Sequence, residues 1–260
     1  MTDSILYTRD GALARLTFNR PAFLNAMDFD MGARWRDLAH EVTGDPTVGA
    51  IILDANGPAF CAGGDVLRMG TSGADGADVT AAAHVIHDGI RTFVESAVPI
   101  VAAVHGAVAG GGLGLMLTAD YIVAAESARF VSRYANIGLT PDLGVSTLLP
   151  AAVGQRRALQ LLLQDVTVDA DTALDWGLVT EVSGDPAARA DEVAQFWIAG
   201  ATAAFGHAKR LIRSGAHRPF ADNLDDEART IGASFDTPEA RARIAAFAAA
   251  SRKNAPKETP

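Results

Sequence analysis

The chain has 260 residues, 49% hydrophobic and 20% charged, enough to pack one large domain or one domain with an appendage. Its formal charge of −9 excludes a phosphate-backbone partner, no apolar run reaches the roughly 18 residues of a membrane span, and the first ten residues lack the basic-then-apolar order of a secretory signal. The single cysteine, Cys61, excludes an internal disulfide and fits a reducing compartment, so the expected location is cytoplasmic, with neither nucleic acid nor membrane as partner.

Residues 5–19 alternate on either side of Asp10-Gly11, the pattern of a β-hairpin. From Asp28 to Val42 the apolar positions Met31, Trp35, Leu38, Ala39 and Val42 repeat with a helical period. Val48–Leu53 then reads as a buried strand, followed by a glycine turn, GPAFCAGGD (57–65). The small polar stretch 70–78 has no apolar anchor and is expected to be a mobile loop. A helix is predicted over Val79–Ser96, a strand from Pro99 through IVAAVHG, then a second glycine turn, GAVAGGGLG (106–114), opening the short helix LGLMLTA. Strand YIVAAE (121–126), an extended stretch RFVSRY (129–134) and helices over Val145–Val153 and Arg156–Leu163 follow. Strand–turn–helix units at this spacing predict α/β layering. Beyond that come helices at Asp191–Ala199, Phe205–Ser214, Phe220–Phe235 and Pro238–Ser251, and a frayed tail, NAPKETP.

The two glycine turns carry the chemistry. Neither ends in the Gly-Lys-Ser/Thr of a phosphate loop, and no Gly-x-Ser-x-Gly elbow occurs. A dinucleotide fingerprint fails in register, because Leu117 stands where a third glycine is needed. There remains an anion hole built from backbone, in which N–H groups of two separate turns converge on one oxygen that gains charge during reaction. Close strand–helix packing alone would also ask for glycine at each turn. No His, Cys or acidic cluster has metal-ligand spacing, so no metal is expected.

GPAFCAGGD, AAVHGAVAGGGLGLMLTADYIVAAESARF, IGLTPDLGVSTLLP and ALDWGLVTEV, with the entry RPAFLNAM, together resemble the crotonase superfamily, the enoyl-CoA hydratase/isomerase family, over about residues 5–250. The resemblance implies a spiral of ββα units within residues 1–195, carrying the acyl-CoA site, and a C-terminal helical lobe over 196–260 that makes trimer contacts. It also implies a homotrimer or a dimer of trimers, and an acyl-CoA thioester substrate, with coenzyme A entering only as part of that substrate and no separate cofactor. By motif match the oxyanion donors are the N–H groups of Gly64 and Gly111. The stretch Ala62, Gly63, Gly64, Asp65 and Val66, with Gly111, would hold the pantetheine end of the substrate. Asp65 is also expected to cap or brace its own turn, and Trp176 to lie in the core ahead of a helix-ending Gly177.

The family's hydratases use two glutamates to hold and deliver water, and here those places are Gly114 and Tyr134. Glycine does no acid–base work, and a tyrosine with an ordinary pKa of about 10 is a poor base at neutral pH. One carboxylate does stand where several family isomerases carry theirs: Asp142 in LTPDLG. The same place holds the nucleophilic aspartate of the related 4-chlorobenzoyl-CoA dehalogenase. Burial among Ile137, Leu139, Leu143 and Val145 is expected to make Asp142 a stronger base, while the bland alternative makes it a turn or N-cap residue after Pro141. His87 and Tyr134 fall, by spacing, where the dehalogenase places an active-site histidine and an aromatic ring. Arg20, Lys209 and Arg252/Lys253 are candidates for the CoA phosphates, since the family's usual basic position is Ala22 here. The leading expectation is therefore an enoyl-CoA isomerase, ring-derived thioesters included, with Asp142 as acid/base. The alternatives are an aryl- or acyl-CoA hydrolase or dehalogenase with Asp142 as nucleophile, a weak hydratase, and an acyl-CoA-binding member without turnover.

Overall fold

The computed structural model describes residues 3–253 except Asp165 and His217, and side chains only as far as residue 250. The expected frayed tail, 254–260, and the side chains of Arg252 and Lys253 therefore lie outside the described residues. Strands β1 (Ile5–Asp10) and β2 (Leu13–Phe18) pair antiparallel around the Asp10-Gly11 hairpin. Helix α1 (Phe29–Gly44) follows, its first turn capped by the Asp28 carboxylate accepting from the Met31 N–H, and leads to strand β3 (Ala50–Ala55). After the first glycine turn come α2 (Val66–Thr71) and α3 (Gly76–Glu95), then strands β4 (Ile100–Val104) and β5 (Ala107–Ala109) and helix α4 (Gly111–Met116). Next are β6 (Tyr121–Ala125), β7 (Arg129–Val131), α5 (Val145–Val153), α6 (Gln155–Gln164), β8 (Val168–Asp169), α7 (Ala170–Trp176) and β9 (Glu181–Ser183). Helices α8 (Pro186–Ala199), α9 (Thr202–Gly215), α10 (Phe220–Phe235) and α11 (Pro238–Lys253) complete the described chain.

The main sheet has the order β1-β2-β3-β4-β6-β9, antiparallel only at the hairpin and parallel elsewhere, and β5-β7-β8 form a second, smaller sheet. The hairpin supplies two strands to the main sheet and β3, β4, β6 and β9 one each, while β5, β7 and β8, each next in sequence to a main-sheet strand or one helix from it, build the small one. The core between α1, α3 and the sheet is aromatic. Trp35 packs against Phe93 at 4.7 Å between ring centres with the planes tilted by 57°, and Phe18 against Phe60 at 5.3 Å with a tilt of 54°. On the opposite face, Ala190 and Ala194 of α8 pack onto Ile52, Val101 and Val123. Helix α8 is thus a layer of the core, and the residue-195 boundary read from the sequence falls inside it.

Two elements differ from expectation. Stretch 70–78 is not one loop: the end of α2 and the start of α3 take up most of it. Short side-chain bonds replace the missing apolar anchors, with Asp65 capping α2 and Asp75 and Asp78 forming a reciprocal capping box on α3. Helix α8 begins at Pro186 rather than Asp191, because Asp185 caps it and Pro186 suits the first helical position. Among the described residues, no helix is long and apolar enough to cross a membrane.

Candidate active site

The two glycine turns touch. Cys61 bridges to Val108 and Gly64 to Met27, so the first turn is pinned between the entry segment and the small sheet. Gly63 has a φ of 96°, and a Cβ there would lie 2.8 Å from the Ala109 carbonyl oxygen and 3.2 Å from the Gly111 nitrogen. Only glycine meets both demands, the left-handed backbone and the close approach. Among the described residues no acceptor takes the N–H of Gly64 or of Gly111. Gly64 is exposed, whereas Gly111 is buried at the start of α4. Two unpaired backbone donors from adjoining turns are what an oxyanion hole requires.

The flanks of the first turn are already satisfied. Asp65 accepts from the Arg68 N–H at 3.1 Å and from the Arg20 guanidinium at 2.9 Å, so it braces α2, as expected. Arg20 also pairs with Asp28 at 3.0 Å and donates to the Ala26 carbonyl, all in a nearly buried position. It is committed to this brace and is not a phosphate ligand. Lys209 is corrected likewise: its buried ammonium donates to the carbonyls of Phe93 (2.8 Å) and Val98 (2.7 Å) and to Ser96 Oγ (3.2 Å), and pairs with Asp120 at 3.1 Å. The Cys61 thiol is buried and its pKa is pushed up to about 12 by desolvation, so it takes no part as a nucleophile. Ala62 donates its N–H to the Leu24 carbonyl, while Gly64 and Val66 stay exposed along the edge of the hole.

Across the second turn lies the loop before α5, and its key residue is one the sequence reading named only as part of the apolar surroundings of Asp142. Leu143 adopts a left-handed conformation (φ 48°) and is buried. Its side chain occupies the space over Gly111, where an added Cβ would meet Leu143 Cδ1 at 2.5 Å. Its carbonyl oxygen lies so close over Gly114 that a Cβ there would overlap it. Glycines 111 and 114 stand three apart on one face of α4, and together they form the seat for Leu143. Seating Leu143 sets its neighbour: Asp142 Oδ1 comes within 3.5 Å of the point a Cβ on Gly111 would occupy. The missing glutamate at 114 and the carboxylate at 142 are therefore two sides of one steric arrangement. A side chain at 114 would unseat the loop that carries Asp142.

Asp142 accepts a 2.6 Å hydrogen bond at Oδ1 from the Tyr134 hydroxyl, and Oδ2 has no partner among the described residues. Tyr134 is buried with its ring tip 4.0 Å from where a Gly110 Cβ would stand. Burial, and then the Asp142 charge, push the Tyr134 pKa well above the ordinary phenol value, so the hydroxyl stays a donor. The N-cap alternative for Asp142 is not what forms. Gly144 caps α5 without a side-chain bond, and Asp142 contributes to that turn only its carbonyl, which accepts from the Val145 N–H at 3.0 Å. The expected enclosure is also absent. Leu143 and Val145 are buried, but Ile137 and Leu139 are each 51% exposed and Asp142 faces the surface.

His87, on α3, reaches the same loop, and its Nε2 accepts from the Leu143 N–H at 3.1 Å. The structure thus brings together Gly64, Gly111, Asp142, Tyr134 and His87. His105 instead bonds the Gly57 carbonyl, and Trp176 lies half-buried under the Arg157 guanidinium. No group of three or more metal-ligating side chains occurs among the described residues.

A family model described as enoyl-CoA hydratase/isomerase matches residues 8–254. The chain is 35% identical over 192 residues to a probable enoyl-CoA hydratase of Mycobacterium tuberculosis, covering 74% of each chain. It is 31% identical over 239 residues to 4-chlorobenzoyl coenzyme A dehalogenase-2 of an Arthrobacter species, covering 90% of this chain and 87% of that one. With 1,2-epoxyphenylacetyl-CoA isomerase of Escherichia coli the identity is 31% over 252 residues, covering 92% and 94%. Among solved structures, a putative enoyl-CoA hydratase from Streptomyces coelicolor superimposes with a TM-score of 0.90 at 31% identity, covering 99% of this chain and 94% of that one.

Proposed function

The chain belongs to the enoyl-CoA hydratase/isomerase family of crotonase-fold acyl-CoA enzymes, and from that premise we propose that it is an acyl-CoA isomerase that moves a carbon–carbon double bond. The thioester oxygen sits between the N–H groups of Gly64 and Gly111. Asp142 Oδ2 takes a proton from C2 of a 3-enoyl-CoA, and the freed electron pair spreads over the oxygen and the C3–C4 double bond as a dienolate. The same carboxyl returns the proton at C4, leaving the double bond conjugated at C2–C3. Donors of this kind contribute about 2.7–4 kcal/mol each to the charged intermediate, and a positioned acid/base adds roughly 10²- to 10⁴-fold. Tyr134 holds Oδ1 and so leaves Oδ2 for the transfer.

The observation that carries this reading is the seat of Leu143. Hydration in this family uses two glutamates, and here one site is closed by the Leu143 carbonyl while the other is a hydroxyl already donated to Asp142. A double-bond shift needs only one carboxylate, and one is present. Several relatives carry hydratase names, so the assay sets the two reactions side by side. Purified enzyme receives a 3-enoyl-CoA in one vessel and a 2-enoyl-CoA in another. The expected result is conjugation without added water in the first, little change in the second, and a loss of about 10²- to 10⁴-fold in kcat with Asp142→Asn. Rapid hydration of the 2-enoyl-CoA overturns the proposal.

A second reading is favoured by the grouping of Asp142, Tyr134 and His87 and by the dehalogenase relative. Asp142 would attack either a halogen-bearing ring carbon of an aryl-CoA, expelling halide, or the thioester carbonyl carbon of an acyl-CoA, expelling CoA thiolate, and water would then hydrolyse the adduct, releasing the product and the free carboxylate. It predicts a covalent adduct on the peptide containing Asp142, an aryl ester or an acyl anhydride, visible by mass after acid quench, which proton transfer never forms. Against it stands the engagement of His87 Nε2 by the Leu143 N–H, which leaves that nitrogen no lone pair for a water. The assembly expected is a homotrimer or a dimer of trimers through the C-terminal helices.

A further inference from the structure

We propose that His87 is a positioning residue: by accepting the Leu143 N–H it holds that residue in its left-handed conformation and so keeps Asp142 facing Gly111. This rests on Asp142 as the acid/base. A residue with a Cβ disfavours a positive φ, so Leu143 (φ 48°) needs restraint from outside its own backbone. Two restraints are steric, the Leu143 side chain over Gly111 and its carbonyl over Gly114. The third is directional, the 3.1 Å bond from the Leu143 N–H to His87 Nε2, and it alone depends on a proton.

An imidazole accepts at Nε2 only when neutral with its proton on Nδ1. Protonation turns Nε2 into a donor facing another donor, and the bond becomes a repulsion. The new charge also faces Asp142 and competes for the carboxylate that must move the substrate proton. Burial pushes the His87 pKa below the ordinary imidazole value; Asp142 opposes that shift and His84 adds to it. A cavity of about 750 Å³ borders His87 and Asp142 and gives solvent protons a route to the ring. The charged groups facing it are Asp142 from the loop, His84, Arg91 and Glu95 from α3, and Arg210, Arg213 and Arg218 from α9 and the turn after it. All four of those arginines are already paired, Arg91 with Asp88, Arg210 and Arg218 with Asp226, and Arg213 with Asp120. Activity is therefore full while His87 is neutral and falls as pH drops through its lowered pKa.

Two variants test this, His87→Ala, which removes the acceptor, and His87→Gln, whose amide oxygen reaches a similar place and accepts without titrating. The first readout needs no substrate: hydrogen exchange at the Leu143 amide, corrected for intrinsic rates, across pH. The expected result is protection in the wild type that drops on acidification, pH-independent protection in His87→Ala about tenfold below the neutral wild type, so that the two converge at acidic pH, and pH-independent protection at the neutral wild-type level in His87→Gln. The second readout is the pH profile of isomerisation. His87→Ala should lower kcat by about tenfold with KM within about twofold, and His87→Gln should restore kcat and lose the acidic limb that His87 supplies. Wild-type Leu143 protection in His87→Ala at neutral pH overturns the proposal. So does a His87→Gln enzyme that protects Leu143 yet is as slow as His87→Ala, since His87 would then move protons itself. Absence of isomerase activity in the wild type would instead count against the assigned reaction, and the exchange experiment would still report on the bond.

Discussion

At position 114 the presence or absence of a single Cβ selects between two chemistries. A glutamate there would restore a hydratase acid on paper, but its Cβ would overlap the Leu143 carbonyl and push out the loop that carries Asp142. Gly114→Glu is therefore expected to gain no hydration, to lose isomerisation, and to destabilise the fold by roughly 1–3 kcal/mol or more, as overpacking does. Assays on both enoyl-CoA isomers and a denaturant melt check this. Tyr134 makes a finer test. Tyr134→Phe keeps the buried ring and removes only the 2.6 Å bond to Asp142 Oδ1. A hydrogen bond to a charged group contributes about 1.5–3 kcal/mol, so Tm should fall by a few degrees, and kcat should fall roughly ten- to a hundredfold because Asp142 is no longer held. Because the Tyr134 pKa is raised, no loss of activity from its ionisation is expected up to about pH 10, the ordinary tyrosine value.

Among the elements, α9 is tied to the core by two cations, Lys209 and Arg213. Lys209 draws together the C-terminal end of α3, the segment leading into β4 and Asp120, and its pKa, pushed down to about 8 by burial, still leaves it charged at neutral pH. Lys209→Met should cost about 3 kcal/mol, the low end for breaking a buried pair because Arg213 still holds Asp120, and it should be seen as a lower denaturant midpoint. The hairpin, α1, the parallel strands and the two glycine turns were legible in the sequence because period and turn chemistry act locally. The turn donors Gly64 and Gly111 and the carboxylate Asp142 were legible through the motifs. The contact between Leu143 and the glycines of α4 was not, since it depends on a left-handed leucine and on a loop returning from about thirty residues away, beyond the roughly 11- to 18-residue windows in which periodicity is read. Helix α2 was hidden because its support is a charge brace among Arg20, Asp28, Asp65 and Arg68 rather than an apolar stripe. The assumed burial of Asp142 failed because Ile137 and Leu139, apolar by type, face outward.

For the whole molecule, the two last helices leave large apolar side chains uncovered, among them Phe220, Ile231, Phe235 and Phe247. The proposed trimer or dimer of trimers would cover such surface, and sedimentation velocity should give a mass of three or six chains, with Phe220→Asp shifting it toward smaller species. The central claim, that one carboxylate beside a two-donor hole serves both carbons, is tested most directly by label transfer. A 3-enoyl-CoA carrying deuterium at C2 is turned over once in ordinary water, and the product is read by mass spectrometry for deuterium at C4. Part of the label is predicted to appear at C4 in the wild type, with no turnover on the same timescale in Asp142→Asn. Product that carries no label at C4, formed as fast by Asp142→Asn as by the wild type, would contradict the account.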